Sequence, residues 1–135
     1  MTTQQNAHTV SDIVTAAQAL APLIQEHRGT MEAERPPPAP VVDALRTSGA
    51  FPLAVPRAYG GLELDPMTQT RVVEELSRID GSVGWCAMIS SAGSFASAFL
   101  APEVAQRLCG HVGFSLAGQV VPVGRATLVD GGYRV

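Results

Sequence analysis

The groups in this 135-residue chain that could move a proton, hold a metal or attack an electrophile are scattered along it. A general base needs a carboxylate or an imidazole held against the reacting atom. Glu74, Glu75, Asp80 and Glu103 are candidates by residue type, but each falls on the surface or at an end of a segment with helical spacing. A carboxylate there is solvated or caps a helix terminus, so no catalytic residue is assigned. His8, His27 and His111 lack metal-ligand spacing and have no carboxylate cluster near them, and no metal site is expected. Cys86 and Cys109 stand far apart, outside any CxxC pattern. Two free thiols in a cytoplasmic protein are the simplest reading.

Composition narrows the partners. The net charge of -3 is mild, and no basic stripe is interleaved with aromatics, so a nucleic-acid partner is not expected. The N-terminus MTTQQNAHTVSD has no charged region followed by an apolar run and does not read as a secretory signal. The stretch SVGWCAMISSAGSFASAFL, Ser82 to Leu100, is long enough to suggest a membrane span. Its serines, its two glycines and the lack of a flanking Lys or Arg cluster favour a buried helix instead.

The elements that would position any site are mostly helices. Val10, Ile13, Val14, Ala17, Leu20, Ala21, Leu23 and Ile24 keep three- and four-residue spacing, which predicts one amphipathic helix fading near His27 to Gly29. Thr9 and Asp12 form a capping-box pattern at its start. The three successive prolines that come later cannot continue a helix, and Pro40 sits at the first turn of a short helix over Val41 to Thr47 that Gly49 stops. In VPRAYGG, Pro56 and the glycines at 60 and 61 specify a turn between two ordered parts. Asp65 as N-cap and Pro66 at the first position start a third helix that carries Val72, Val73, Leu76 and Ile79 and ends near Asp80-Gly81.

Ser82 is the expected cap of a fourth helix, apolar on most sides, that runs to Leu100 through the centre of the bundle. Phe95 is expected in the core, and a charge there would unfold the domain. Trp85, an aromatic on that helix, reads locally as core too. Pro102 starts a short fifth helix, closed by Gly110. From residue 113 the chain is rich in Val and Gly. Thr127–Val129 and Tyr133–Val135 around Asp130-Gly131-Gly132 give a hairpin signal. Residues 1–112 are therefore expected to form an α-helical bundle and residues 113–135 the start of an incomplete β-domain. The chain stops inside its last predicted strand, and an isolated hairpin is marginal in water, so a fragment of a longer protein is expected.

A helical bundle with Val55, Pro56, Tyr59, Gly60 and Gly61 at one corner, then Glu74, Glu75, Leu76, Asp80 and Ser82 leading into a central helix, resembles the N-terminal domain of the acyl-CoA dehydrogenase superfamily. The resemblance covers nearly the whole chain and makes VPRAYGG an inter-helix corner. It implies a mainly α fold and a flavoprotein oxidoreductase that uses FAD to oxidise the CH-CH bond of an acyl thioester. DGSVGW and PVGRATLVDGGYRV are similar to the flavin-dependent hydroxylases of the same fold, which use reduced FMN or FAD and act on aromatic or steroid-derived rings. GQVVPVGRA, residues 118–126, stands where the dehydrogenases carry a TEPgaGSD-like segment, without its Thr and Glu.

By position, the resemblance makes Gln119, Val120 and Val121 flavin-facing and puts Trp85, Met88 and Ser91 on the substrate pocket. It also implies a homo-oligomer, a tetramer by family. The acid or base of the reaction and most flavin contacts belong to parts of the family fold that this chain lacks, so the chain alone is expected to be inactive. A non-catalytic helical interaction module is the competing reading from a different class.

Overall fold

The computed structural model describes residues 10–111, 114–118, 121 and 123–135. Its helices are α1 (Val10–Gln18), α2 (Ala21–Glu26), α3 (Arg28–Glu34), α4 (Ala39–Thr47), α5 (Pro66–Ile79), α6 (Gly81–Ser94) and α7 (Pro102–Cys109). Short 3₁₀ turns cover Arg57–Tyr59 and Phe95–Phe99, and the strands β1 (Thr127–Val129) and β2 (Gly132–Arg134) follow. The fold is mainly helical with one small antiparallel sheet, as the resemblance implied. No helix among the described residues is long and apolar enough to cross a membrane.

The first predicted helix is three segments. Pro22, in the first turn of α2, has no N–H to offer the carbonyl of Gln18, and the chain breaks at Ala19-Leu20. A second break at His27 is followed by α3, which buries Met31 and carries the helical path past the expected end. It stops at Arg35, whose φ of 71° and ψ of -51° leave the helix just before Pro36. Thr9, half of the expected capping box, lies outside the described residues.

α4 starts two residues earlier than expected and ends as predicted. Gly49 takes φ 81°, the Ala50 N–H returns to the Leu45 carbonyl, and the Gly49 N–H returns to Arg46. This pair of bonds satisfies carbonyls that the helix end would leave open. The VPRAYGG turn is a loop tied to itself. Leu62 N–H bonds Pro52 O at 3.1 Å, Glu63 N–H bonds Val55 O at 2.9 Å and Leu64 N–H bonds Leu53 O at 2.9 Å. A Cβ on Gly61 would lie 2.5 Å from the Val55 carbonyl carbon, so only glycine allows the two arms to meet. Leu53 and Val55 are thereby buried.

Asp65 caps α5 as predicted, accepting from the N–H groups of Met67 and Thr68. The cap of α6 is Asp80, not Ser82. Asp80 holds φ -157° and ψ 127°, the extended geometry of a cap, and its side chain accepts from the Ser82 and Val83 N–H groups. Ser82 is already helical and donates its hydroxyl to Asp80. α5 and α6 pack at close range because Gly84 meets Ser77, where a Cβ would sit 2.8 Å from the Ser77 Cα. The core gathers Ile13, Ile24, Val41, Leu45, Leu53, Val72, Leu76 and Val83. Each fully buried aliphatic side chain contributes about 1.5–3 kcal/mol.

The hairpin pairs Thr127 with Arg134, Leu128 with Tyr133 and Val129 with Gly132. Its second strand lies one residue earlier than expected, because the turn takes only Asp130 and Gly131, with Gly131 at φ 79°.

Candidate functional site

The predicted site residues belong to α6 and to the segment that follows α7, so the site is built on α6. Its buried residues are small: Gly84, Ala87, Ser90, Ser91 and Ser94, with Val83 beside them. Toward the end of the helix the serine hydroxyls are satisfied locally. Ser94 Oγ donates to Ser91 O at 2.8 Å, and Ser97 Oγ donates to Ser94 O at 2.6 Å. Serine bonds back to the preceding turn compete with the regular ladder. The helix tightens into a 3₁₀ turn at Phe95, where one helix to Leu100 was expected.

The large side chains turn outward. Trp85 is 62% exposed and Phe95 is 59% exposed, which corrects the core assignment of both. The cause is the close approach of α5, which leaves no room on the inner side for anything larger than Val.

Two clefts flank α6. The first, of about 260 Å³, is walled by Trp85, Cys86, Ile89, Phe51 and the backbone run Ser115–Ala117. The second, of about 540 Å³, lies between the start of α5, the loop after Phe51 and the end of α6, and is walled by Ala54, Pro56, Leu64, Gln69, Ser91 and Phe95. Trp85 and Ser91 are six residues apart, which separates them by about 120° around the helix. The structure therefore puts Trp85 in the first cleft and Ser91 in the second, and does not bring them together. Met88 is half-buried and lines neither. Val121 is exposed, and Gln119 and Val120 lie outside the described residues.

Sequence reasoning missed Gln69 and Leu116. Ser91 Oγ donates to Gln69 Oε1 at 2.8 Å across 22 residues, a pairing that no local pattern signals. Leu116 lies on Gly93, where a Cβ would come within 2.7 Å of its Cδ2. The glycine inside an otherwise unbroken helix was the only available cue.

The acids have structural partners. Glu74 and Glu75 both pair with Arg78 on the surface of α5. Partial burial acts to raise the Asp80 carboxyl, but the Ser82 hydroxyl, the Val83 and Ser82 N–H groups and the charge of Arg28 outweigh it and hold it below its ordinary value. Burial, helped by the charge of Asp80, pushes the Cys86 thiol up, so it stays protonated and poorly nucleophilic at neutral pH. Among the described residues no group of three or more His, Cys, Asp or Glu could hold a metal ion.

A flat ring system fits the first cleft in part. Trp85 offers an exposed aromatic face, and Ile89 and Phe51 offer apolar contact. No Lys or Arg is among the described residues lining it, so a phosphate-bearing tail would find no countercharge there.

Residues 4–109 match the family described as acyl-CoA dehydrogenase, N-terminal domain. The chain is 30% identical over 95 residues to an indole-3-acetate monooxygenase of Pseudomonas putida, covering 70% of this chain and 24% of that protein. It is 28% identical over 118 residues to the oxygenase subunit of a flavin-dependent monooxygenase of Rhodococcus jostii, covering 87% and 31%. It is 38% identical over 112 residues to the oxygenase component of an FADH(2)-dependent resorcinol hydroxylase of a Rhizobium species, covering 80% and 26%. The matches thus span about a quarter to a third of the length of these relatives.

Proposed function

The chain belongs to the acyl-CoA dehydrogenase N-terminal domain family, and from that premise we propose that it is the N-terminal part of the oxygenase component of a flavin-dependent monooxygenase acting on an aromatic or fused-ring compound. The observation that carries this reading is that the relatives described above are named for oxygenation or hydroxylation with a flavin. The motif DGSVGW, which opens α6, leans the same way. Oxidation of an acyl thioester, which the family resemblance put first, keeps the support of the family description alone.

On this reading the chain supplies one wall of the site. Trp85 stacks against a planar ring, while Phe51 and Ile89 keep water from that face. Gln119, Val120 and Val121 keep the flavin-side role that the family resemblance implies, as Met88 and Ser91 keep a substrate-side role, although neither Met88 nor Ser91 lines the Trp85 cleft. When bound, reduced FAD or FMN supplies the oxygen chemistry. Residues from about 113 onward begin a β-domain that completes the flavin site in a cytoplasmic tetramer. Without that completion, the 135-residue chain neither holds FAD stoichiometrically nor turns over an acyl-CoA.

The test gives the whole-length protein two reaction mixtures. One holds reduced flavin, oxygen and a hydroxylated aromatic; the other holds an acyl-CoA and an electron-accepting dye. Hydroxylated product in the first and no dye reduction in the second is the expected result. Dye reduction alone would return the reading to a dehydrogenase.

A further inference from the structure

We propose that residues 114–118 form a strap that gates the Trp85 cleft, and that Leu116, seated on Gly93 of α6, is its latch. The strap follows α7 and meets α6 at Gly93. Phe114 and Leu116 are half-buried, while Ser115 and Ala117 are exposed, the alternation of an extended chain lying on a surface. Gly93 supplies the seat. A Cβ there would come within 2.7 Å of Leu116 Cδ2 and 3.0 Å of Leu116 O. Leu116 thus rests on the helix backbone with both its side chain and its carbonyl, a contact that a side chain at 93 would block. Glycine is a poorer helix former than alanine, so α6 itself gains nothing from it. What it provides at this position is room for Leu116.

The seat matters because hydrogen bonds do little here. Among the described residues no backbone hydrogen bond joins residues 115–118 to a helix. The Phe114 N–H reaches His111 O at 3.4 Å, long for such a bond, and the two rings meet edge to face at 6.0 Å. A segment with few backbone bonds and few apolar contacts opens at low free energy. The surface it faces is different in kind. Across the cleft from Ser115–Ala117 lie Cys86, Ile89 and Ser90 of α6, with the buried side chains of Leu45 and Phe51. That floor is part of the packed bundle, and the wall over it is not. Opening of the strap therefore changes access to the cleft while the bundle stays folded. The gate concerns entry, so it stands whatever the cleft takes and does not rest on the oxygenase reading.

The experiment labels the 135-residue chain with N-ethylmaleimide at one fixed pH and follows each cysteine separately by peptide mass spectrometry. Cys86 is half-buried in the cleft and reports the strap. Cys109, 3% exposed at the end of α7, reports opening of the bundle. Where opening and closing are fast relative to labelling, the rate follows the open population. Leu116→Ala removes the latch and is expected to speed Cys86 labelling about fivefold to tenfold, the worth of a half-buried leucine side chain. The Cys109 rate stays as in the parent. Gly93→Ala unseats the same leucine from the other side and speeds Cys86 by a similar factor, while the helix, which prefers alanine, stays intact. If one variant fails to fold, the other still decides. In urea below the unfolding transition, Cys86 labelling of the parent is expected to rise less steeply than Cys109 labelling, because an opening strap exposes little surface. An unchanged Cys86 rate in a folded variant, acceleration of both cysteines together, or equal urea slopes would each overturn the proposal.

Discussion

Helix α6 buries Gly84, Ala87, Ser91 and Ser94, and of these Gly84 meets Ser77 and Ser91 meets Gln69 of α5. On its other sides and in the turn that follows it presents Trp85, Phe95 and Phe99, which are 62%, 59% and 77% exposed. An ordinary surface helix does the reverse, burying its large apolar residues and exposing its small polar ones. The inner face gains its packing from close backbone approach; Ser94 meets its hydrogen-bond need along its own helix and Ser91 on Gln69 of α5. Stability therefore rests on residues whose virtue is being small. The aromatic residues lie outside, with Phe95 and Phe99 edge to face at 5.3 Å.

Substitutions that fill the inner face should do the most damage. Gly84→Leu would drive a side chain into Ser77 and separate α5 from α6. Such overpacking costs about 3 kcal/mol or more, and loss of cooperative thermal unfolding is expected. A variant that melts like the parent would mean that the two helices are not held at the observed distance. Emptying the core should cost a comparable amount without blocking folding. Leu76 on α5 is fully buried, and Leu76→Ala is expected to lower stability by about 2–5 kcal/mol in urea denaturation.

The start of α6 gives a smaller effect with a pH signature. Asp80→Ala removes the cap and should cost about 1 kcal/mol at pH 7. The Asp80 carboxyl is held below its ordinary value of 3.8 in the folded chain. Its contribution is therefore complete above that value and is lost as pH falls through the lower, folded value. Urea melts at pH 7 and pH 3 should differ less for Asp80→Asn than for the parent. An unchanged difference would mean that the cap does not depend on the charge.

The outer face should respond least. Phe95→Asp puts a charge on a side chain that already meets water, and a change within about 0.5 kcal/mol is expected. This reverses the unfolding that the sequence alone suggested. Thermal denaturation of that variant beside Gly84→Leu would sharpen the contrast most cheaply, and a Phe95→Asp chain that fails to fold would break it.

Where the determinants are local, sequence was enough. Asp65 before Pro66, Gly49 after α4, Pro102 before α7 and Asp130-Gly131 between the strands each act within a few residues, and each marks its boundary closely. The choice between Asp80 and Ser82 was harder. Both residue types cap, and only the extended backbone at Asp80 decides between them. The break before Pro22 was overridden by an apolar spacing that runs straight through it.

The orientation of α6 was not legible because the helix is apolar on nearly every side, so periodicity does not say which side faces in. That one ambiguity placed Phe95 and Trp85 in the core and put Trp85 and Ser91 on one pocket. The Ser91–Gln69 bond and the packing of Leu116 on Gly93 depend on chain segments more than twenty residues apart and leave no local trace.

We propose that this chain is part of an oxygenase that puts an oxygen atom from dioxygen into a ring substrate. The most direct measurement is mass spectrometry of the product formed by the whole-length protein from a phenolic substrate, reduced flavin and ¹⁸O₂. One heavy oxygen atom in the hydroxylated product is the predicted result. Product that carries oxygen from water, or an acyl-CoA oxidised to its enoyl form with no oxygen incorporated anywhere, would contradict it.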